Sequence, residues 1–401
     1  MPPTLPRVTL KPGHVQPIWT GHPWVYAQAV ERVEGGARPG DEVAVTDPRG
    51  QFLGRGFYSP SSAIAVRVLT RDPDRPLDGR FFRDKIAEAR DHRRALHLPN
   101  DETNAYRLVH AEGDGLPGLV VDVFDDACVV QATTLGMRLR EALWLEALRE
   151  VLAPRAIIDR TPPSAGKAEG FRVEQGVLRG DPQISALRFR ERGLRFEIPP
   201  ELGQKTGFYF DQRPLRARVE QLARGRRVLD AYAFVGTFSL AAARGGAADV
   251  LAVDESAIAL DVAARIAQTN GLDARVRYSR QDASAAFSQA GREGGYDLVI
   301  CDPPKLVPSR AARDAGLGAY RRLAGLAARA TKPGGLLIFC SCSASVGLDD
   351  LVRALALGAR DVGLDTTVLE RHFQGADHPV PAAFPEGLYL KTLLTRVTTP
   401  R

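Results

Sequence analysis

The stretch that decides the fold is Val228-Leu-Asp-Ala-Tyr-Ala-Phe-Val-Gly-Thr-Phe-Ser-Leu240, an apolar strand followed by a loop and the start of a helix. From there to the C-terminus, short apolar stretches alternate with amphipathic helical ones. Strands are expected at 228–230, 250–254, 276–278, 297–302, 335–340 and 388–395. This alternation predicts an α/β fold with a doubly wound, mainly parallel sheet and helices on both of its faces.

Acidic side chains end three of these strands, at Asp230, Asp254 and Asp302. Ligands of doubly wound sheets bind beyond the carboxyl ends of the strands. The loop after Asp230 contains Gly236 but lacks the G-x-G-x-x-G motif that holds dinucleotide phosphates. Asp254 is suited to the ribose hydroxyls, and Asp282, after the third strand, to the adenine amine. An acidic, phosphate-free site predicts S-adenosylmethionine as the cofactor.

Two further segments of the same domain suggest the reaction chemistry. Asp302-Pro-Pro-Lys305 is a rigid turn that holds its aspartate at the sheet edge. Cys342 follows the next strand and is expected beside the same cleft. A thiolate that adds to carbon 6 of a cytosine activates carbon 5 toward methylation, and Asp302 is suited to hydrogen-bond N3 or N4 of that base. The other three cysteines are interpreted as small buried apolar residues: Cys128, Cys301 and Cys340.

The rest of the chain divides by composition and turn signals. Residues 1–72 read as short strands between proline and glycine turns, and 73–176 as an α+β domain. Residues 177–200 predict a β-hairpin connector, and 201–401 form the α/β domain described above.

The bulk composition is that of an ordinary globular protein. The 401 residues are 44% hydrophobic and 25% charged, with a net charge of +6, which permits a nucleic-acid partner. No run of about 18 apolar residues predicts a membrane span, and the N-terminus has no signal-peptide pattern, so a cytoplasmic protein is expected. The four cysteines lack the C-x-x-C pairs of a zinc site, and no metal is expected.

Eight motifs spread over nearly the whole chain resemble those of one family, the bacterial 23S ribosomal RNA (cytosine-C5) methyltransferases of the RlmI type. The motifs are His22–Val25, Gly56–Pro60, Tyr106–Asp122, Gly203–Arg213, Asp302–Lys305, Ser341–Ser343, Asp377–Pro379 and Tyr389–Lys391. Two positions depart from the family pattern. The loop after Asp230 lacks the Gly-Gly pair of many relatives, and Leu306 replaces an aromatic residue.

The resemblance implies a PUA RNA-binding domain at 1–72, the central α+β domain, and a class I, Rossmann-like S-adenosylmethionine-dependent methyltransferase domain. It implies that Cys342 is the nucleophile and that Lys205, Tyr209 and Asp211 lie on the cofactor side. It also implies 23S ribosomal RNA as the substrate and a homodimer as the assembly.

Three other functions stay open at the level of sequence. A base-amino RNA methyltransferase also uses an acid-Pro-Pro turn but needs no cysteine. A non-catalytic RNA-binding protein would keep the fold without the cofactor. An NAD-linked oxidoreductase shares the sheet, but the missing G-x-G-x-x-G motif disfavours it.

Overall fold

The structure is a computed structural model that describes residues 5–200, 202, 207–307 and 310–400. The chain forms two compact units, each built from three separate segments. The first unit contains the residues up to Gly193 together with Pro199–Phe210 and Ala376–Gly387. The second contains Leu194–Ile198, Asp211–Gly375 and the residues from Leu388 onward.

The N-terminal part of the first unit is a six-stranded sheet with one short helix, α1 (Val15–Thr20). Its strands are β1 (Arg7–Leu10), β2 (Trp24–Tyr26), β3 (Val30–Glu34), β4 (Glu42–Thr46), β5 (Phe52–Tyr58) and β6 (Ile64–Thr70). They lie in the order β2-β6-β5-β4-β1-β3. Alternate residues such as Val8, Val43 and Val66 are fully buried and form its core, as expected for a sheet with one packed face.

The central part of the first unit is a five-stranded sheet with helices. Its elements are α2 (Gly79–Ala95), β7 (Ala105–His110), β8 (Leu119–Phe124), β9 (Ala127–Ala132), α3 (Leu135–Leu139), α4 (Glu141–Leu152), β10 (Ala156–Asp159), α5 (Pro163–Glu169) and β11 (Gly176–Gly180). The strand order is β11-β10-β9-β8-β7. Helix α2 begins after Asp78, whose carboxylate accepts a hydrogen bond of 2.9 Å from the Phe81 amide and so caps the helix.

Residues 177–200 do not form a single hairpin. Strand β11 pairs antiparallel with β10 and completes the central sheet, because pairing there satisfies backbone groups that an open edge would expose. The two strands that follow are β12 (Leu187–Glu191), in the first unit, and β13 (Leu194–Ile198), in the second.

The second unit is the predicted doubly wound α/β fold. Its helices are α6 (Arg213–Leu222), α7 (Thr237–Arg244), α8 (Ala257–Thr269), α9 (Ala283–Arg292), α10 (Arg313–Ala330) and α11 (Leu348–Asp361). Its strands are β14 (Arg227–Ala231), β15 (Asp249–Asp254), β16 (Val276–Arg280), β17 (Tyr296–Cys301), β18 (Thr331–Ser341), β19 (Asp365–His372) and β20 (Lys391–Thr398). The sheet order is β16-β15-β14-β17-β18-β20-β19, with β20 antiparallel to both of its neighbours.

Both faces of this sheet are buried, which explains the apolar runs in the sequence. Along β14, Val228 packs on the side of α6 and α7, whereas Leu229 packs on the side of α9, α10 and α11. The chain first builds outward from β14 to β16 and then returns to place β17 on the other side of β14. The strand order therefore reverses at β14, and the carboxyl ends of β14 and β17 flank the position where such folds bind ligands.

The connection between β19 and β20 contributes Ala376–Gly387 to the first unit. The carbonyl oxygen of Asp377 accepts a hydrogen bond of 2.8 Å from Nη2 of the buried Arg93. The carboxylate of Glu386 lies 3.3 Å from Nε2 of His22. Polar contacts within the first unit thus hold this connection at both of its ends.

Candidate functional site

Asp230 occupies the switch point of the sheet, near the end of β14, and is 1% exposed. Its Oδ2 accepts hydrogen bonds from the Ser239 amide (2.9 Å) and hydroxyl (2.6 Å) at the start of α7. Its Oδ1 is buried and has no hydrogen-bond partner among the described residues. The pKa of Asp230 is raised to about 7. Burial is the largest cause and the charges of Asp302 and Asp254 add to it, whereas the two hydrogen bonds from Ser239 act in the opposite direction. A buried acceptor of this kind is normally satisfied by a bound water or a ligand.

The loop after Asp230 has an unusual backbone. Tyr232, Phe234 and Gly236 all have positive φ, at 65°, 50° and 72°. Left-handed conformations are costly for residues with a side chain and recur at ligand-binding loops. At Gly236 a Cβ atom would stand 3.2 Å from the Cβ of Ala263, so a glycine also keeps α7 close to α8.

Asp254 supports the same loop from the next strand. Its Oδ2 accepts a hydrogen bond of 2.8 Å from the Phe234 amide, and its Oδ1 accepts one of 2.9 Å from the Ser256 amide. Each oxygen keeps a second lone pair, so the carboxylate can still accept from a ligand. Asp282 is exposed and caps α9 through a bond of 2.9 Å from the Ala285 amide. Its carboxylate therefore has a structural task, and the contact with the adenine amine stays a prediction.

Asp302 follows β17 immediately and is half-buried. Its Oδ2 accepts a hydrogen bond of 3.0 Å from Nε2 of Gln212, which is 5% exposed. Oε1 of Gln212 is buried and has no partner in the described part of the chain. The sequence analysis missed Gln212, although it stands next to Asp211 in a quoted motif.

Asp211 lies in the second unit, where its Oδ2 accepts a hydrogen bond of 2.6 Å from the Tyr389 hydroxyl. Tyr209, two residues earlier, is half-buried and belongs to the first unit. Lys205 lies outside the described residues. Of the two candidates from the resemblance that the structure describes, Asp211 lies in the unit that contains the strand-end aspartates and Tyr209 does not.

Cys342 follows the last residue of β18 and is half-buried. Because β17 and β18 are parallel neighbours, with Cys301 opposite Phe339, Asp302 and Cys342 leave adjacent strands at the same edge of the sheet. The sequence prediction brings the same two residues together.

Buried hydroxyl groups hold the chain on both sides of Cys342. The Ser341 hydroxyl donates a hydrogen bond of 2.8 Å to the Tyr320 hydroxyl, which lies 3.3 Å from Oγ of Ser343. The Ser343 hydroxyl accepts a bond of 3.3 Å from the Val307 amide, in the segment that follows Asp302. These bonds connect the two strand exits to helix α10, which carries Tyr320.

The other three cysteines are fully enclosed. Burial raises the pKa of the Cys128 thiol to about 12 and those of Cys301 and Cys340 well above the ordinary range. Such thiols are poor nucleophiles at neutral pH. Cys342 is the only one of the four that is not fully buried.

Two general features of the described residues bear on function. No group of three or more histidine, cysteine, aspartate or glutamate side chains is arranged there to hold a metal ion. None of the described helices is long and apolar enough to cross a membrane.

Comparisons with known proteins match the chain over nearly its whole length. The family model for S-adenosylmethionine-dependent methyltransferases matches residues 173–383, and that for PUA-like domains matches residues 8–71. Ribosomal RNA large subunit methyltransferase I of Shewanella amazonensis is 38% identical over 397 residues, covering 98% of this chain and 99% of the relative. The protein of the same name from Erwinia tasmaniensis is 36% identical over 393 residues, with 98% and 99% coverage.

Among solved structures, a SAM-dependent methyltransferase of Streptococcus mutans superimposes with a TM-score of 0.84. The match covers 97% of this chain and 99% of that chain at 20% identity. At this identity the likeness shows a shared fold.

Proposed function

The chain belongs to the S-adenosylmethionine-dependent methyltransferases of the ribosomal RNA large subunit methyltransferase I family, and on that premise we propose that it methylates carbon 5 of a cytosine in 23S ribosomal RNA. The observation that carries the proposal is the half-buried Cys342 thiol at the strand exit next to that of Asp302. A methyltransferase that acts on an exocyclic amine needs no nucleophile at this point.

The residues at the switch point fit the cofactor. S-adenosylmethionine supplies an electrophilic methyl group when it is bound. The buried Oδ1 atom of Asp230, which has no donor among the described residues, is suited to a hydrogen-bond donor of this cationic ligand. We assign the ribose hydroxyls to Asp254 and the adenine amine to Asp282, with Gly236 keeping the loop close to the ligand. The resemblance to relatives adds Lys205, Tyr209 and Asp211.

Cys342 supplies the activation that cytosine needs. Carbon 5 of cytosine is a weak nucleophile, so the thiolate first forms a bond to carbon 6. The electron pair of the C5–C6 double bond then moves to carbon 5, which bonds to the methyl carbon as the bond from that carbon to the cofactor sulfur breaks and its electron pair stays on the sulfur. A base removes the proton from carbon 5, the double bond re-forms, and the sulfur leaves carbon 6 as a thiolate.

Asp302 stands where it can bind the edge of the cytosine. A hydrogen bond to N3 or N4 would orient the ring against Cys342 and stabilise the adduct. Gln212, which fixes Oδ2 of Asp302, limits the orientations of the carboxylate. We therefore assign Asp302 to both base binding and the cofactor side of the cleft.

The proposed substrate requires an RNA-binding surface and an accessible base. The PUA-like fold at residues 8–71 and the net charge of +6 support an RNA partner. The target cytosine must leave its stack to reach Cys342. We also propose that the protein is a homodimer and acts in the cytoplasm.

Methyl transfer from radiolabelled S-adenosylmethionine to protein-free ribosomal RNA tests the proposal, with the product nucleoside identified by mass. Wild type is compared with Cys342→Ala and with Cys128→Ala, which removes a buried cysteine of the first unit. We expect 5-methylcytidine from wild type and Cys128→Ala, and none from Cys342→Ala.

Two other results would overturn the proposal. A methylated amino group made equally well by Cys342→Ala would identify a base-amino methyltransferase without covalent catalysis. RNA binding without S-adenosylmethionine binding would identify a non-catalytic RNA-binding protein.

A further inference from the structure

Lys391 is a buried amine in β20 that lies beside the end of β18, the strand that leads to Cys342. It begins β20, is paired with Ser341 of β18 in the antiparallel register, and is 4% exposed. Its Nζ donates a hydrogen bond of 2.8 Å to the carbonyl oxygen of Ser343. The lysine is thus paired with the residue before Cys342 and hydrogen-bonded to the residue after it.

A buried ammonium group is costly unless an opposite charge compensates it. The pKa of Lys391 is lowered to about 8. Burial is the cause of the decrease, and the negative charges of Cys342 and Asp350 partly offset it. Asp350 already accepts hydrogen bonds from Arg313 Nη2 (2.7 Å) and from the Gly347 amide (2.9 Å). Within the described part of the chain, Nζ of Lys391 donates its hydrogen bond to a carbonyl oxygen, and Cys342 is the larger of the two negative charges that act on it.

We propose that Lys391 is a positioning residue that holds Cys342 as a thiolate and fixes the main chain behind it. The inference rests on the proposed function, because only a nucleophilic Cys342 requires the thiolate. A neighbouring cation favours the ionised form of a thiol, since opposite charges attract each other. The Ser343 hydrogen bond keeps the cation from turning away to solvent.

Other groups around Cys342 also influence its charge. The Tyr320 hydroxyl of α10 bonds to the hydroxyl groups of Ser341 and Ser343, on either side of Cys342, and burial and the charge of Cys342 raise the pKa of Tyr320. Cys340 lies behind Cys342 in β18, where burial and the negative charges of Asp302 and Cys342 raise the pKa of the Cys340 thiol. From α11, the negative charge of Asp350 acts on Lys391 and is itself paired with Arg313. Among these groups Lys391 supplies the positive charge that acts on Cys342.

The rate at which iodoacetamide alkylates Cys342, measured against pH with the full chain, tests the inference. The reagent reacts with the thiolate, forming the S–C bond as iodide leaves, and peptide mass identifies the modified cysteine. We expect a wild-type midpoint below about 8.5, the value of an ordinary thiol. Lys391→Met should raise the midpoint by about one pH unit and slow alkylation at pH 7 about tenfold, because a nearby cation is lost. Lys391→Arg should restore most of the shift.

The matched control is Lys332→Met. Lys332 lies at the opposite end of β18 and pairs with Asp297 at 2.8 Å, so its loss should leave the profile unchanged. A wild-type midpoint at or above that of an ordinary thiol overturns the inference. This measurement does not depend on whether any variant folds. A Lys391→Met profile that coincides with wild type, for a variant that unfolds at the same temperature, does the same.

Methyl transfer to ribosomal RNA, measured on the same samples, separates this inference from the proposed function. If Cys342→Ala still methylates while Lys391→Met shifts the alkylation profile, the proposed function fails and the pairing of Lys391 with Cys342 stands. If Cys342→Ala is inactive while Lys391→Met has an unshifted profile, the inference alone fails.

Discussion

The side-chain amide of Gln212 donates a hydrogen bond of 3.0 Å to Oδ2 of Asp302, so a buried residue that precedes the α/β sheet orients a carboxylate at the carboxyl end of β17. A hydrogen bond to a charged group contributes about 1.5–3 kcal/mol. The hydrogen bond therefore fixes the orientation of the Asp302 carboxylate before a substrate binds. Such fixing of polar groups in advance is the condition for electrostatic preorganisation.

Gln212→Ala should accordingly lower the rate of methyl transfer at least about tenfold, since about 1.4 kcal/mol corresponds to a factor of ten. Steady-state kinetics with labelled S-adenosylmethionine measures this effect. The control is Gln221→Ala, which removes only a surface contact with Arg218 on α6. Equal turnover of Gln212→Ala and wild type would show that Asp302 needs no such support.

Asp230 should make stability depend on pH. Its pKa is raised to about 7 in the folded chain, against about 3.9 for an ordinary aspartate. The folded state thus holds the extra proton between these values, and the free energy of unfolding falls as pH rises from about 4 to about 7 and then levels off. This decline in the free energy of unfolding amounts to a few kcal/mol, and Asp230→Asn should remove it. The same substitution should weaken S-adenosylmethionine binding.

Urea unfolding at pH 5 and pH 8, combined with calorimetric titration of the cofactor, checks both effects. Asp249→Asn is the control, since Arg277 lowers the pKa of that half-buried carboxyl group and Asp249 begins β15, at the opposite end of the strand from Asp254. Wild-type stability that rises between pH 5 and pH 8 would contradict the assigned sign.

Two glycines of α10 should respond oppositely to alanine. At Gly316 a Cβ would stand 2.2 Å from Cγ2 of Val307 and 2.8 Å from the Leu306 carbonyl oxygen, in the segment after Asp302. At Gly318 it would meet only the end of the Arg322 side chain, at 3.6 Å. Gly316→Ala should lower the free energy of unfolding by about 1–3 kcal/mol and reduce turnover, because the segment must shift.

Gly318→Ala should instead stabilise the chain by about 0.5–1 kcal/mol, since alanine is the better helix former. Thermal unfolding and methyl-transfer rates of the two variants provide the comparison. Gly316→Ala with unchanged turnover would mean that the segment after Asp302 tolerates displacement.

Trp19 should contribute to RNA binding. It lies on α1 of the PUA-like fold and is 71% exposed, although burial of an indole is normally favourable. Stacking on an unpaired base is worth about 1–3 kcal/mol, so Trp19→Ala should weaken RNA affinity roughly fivefold or more. Fluorescence anisotropy at fixed salt measures it. Ile258→Ala, which removes a 67% exposed apolar side chain of the second unit, should bind as wild type, and equal affinities for all three proteins would refute the assignment.

The sequence was sufficient to predict those parts of the fold that depend on local pattern. β14, β15 and β17 were predictable because both faces of the sheet are buried and each strand contains a run of apolar residues. The predicted fold class, with a PUA-like part before the methyltransferase domain, is confirmed by the family models at residues 8–71 and 173–383.

Elements that depend on distant partners were not predictable. β19 was missed because it is an edge strand whose residues are half-buried or exposed, so its sequence Asp-Thr-Thr-Val-Leu-Glu-Arg-His shows no clear apolar pattern. β11 was assigned to a hairpin because nothing in its own residues reveals its pairing with β10. The hydrogen bonds of Gln212 and Lys391 join residues 90 and 48 positions apart, which only the folded chain brings together.

The segment Ala376–Gly387 belongs to the first unit although the chain on both sides of it belongs to the second, and this arrangement affects how such a protein can evolve. A domain can be exchanged between genes in one step when its residues form one continuous segment of the chain. Here the first unit contains a piece of chain encoded between the last two strands of the second. A recombination event near residue 211 would separate that piece from Arg93 and His22. The two units are therefore expected to be inherited together, as one gene segment, rather than shuffled independently.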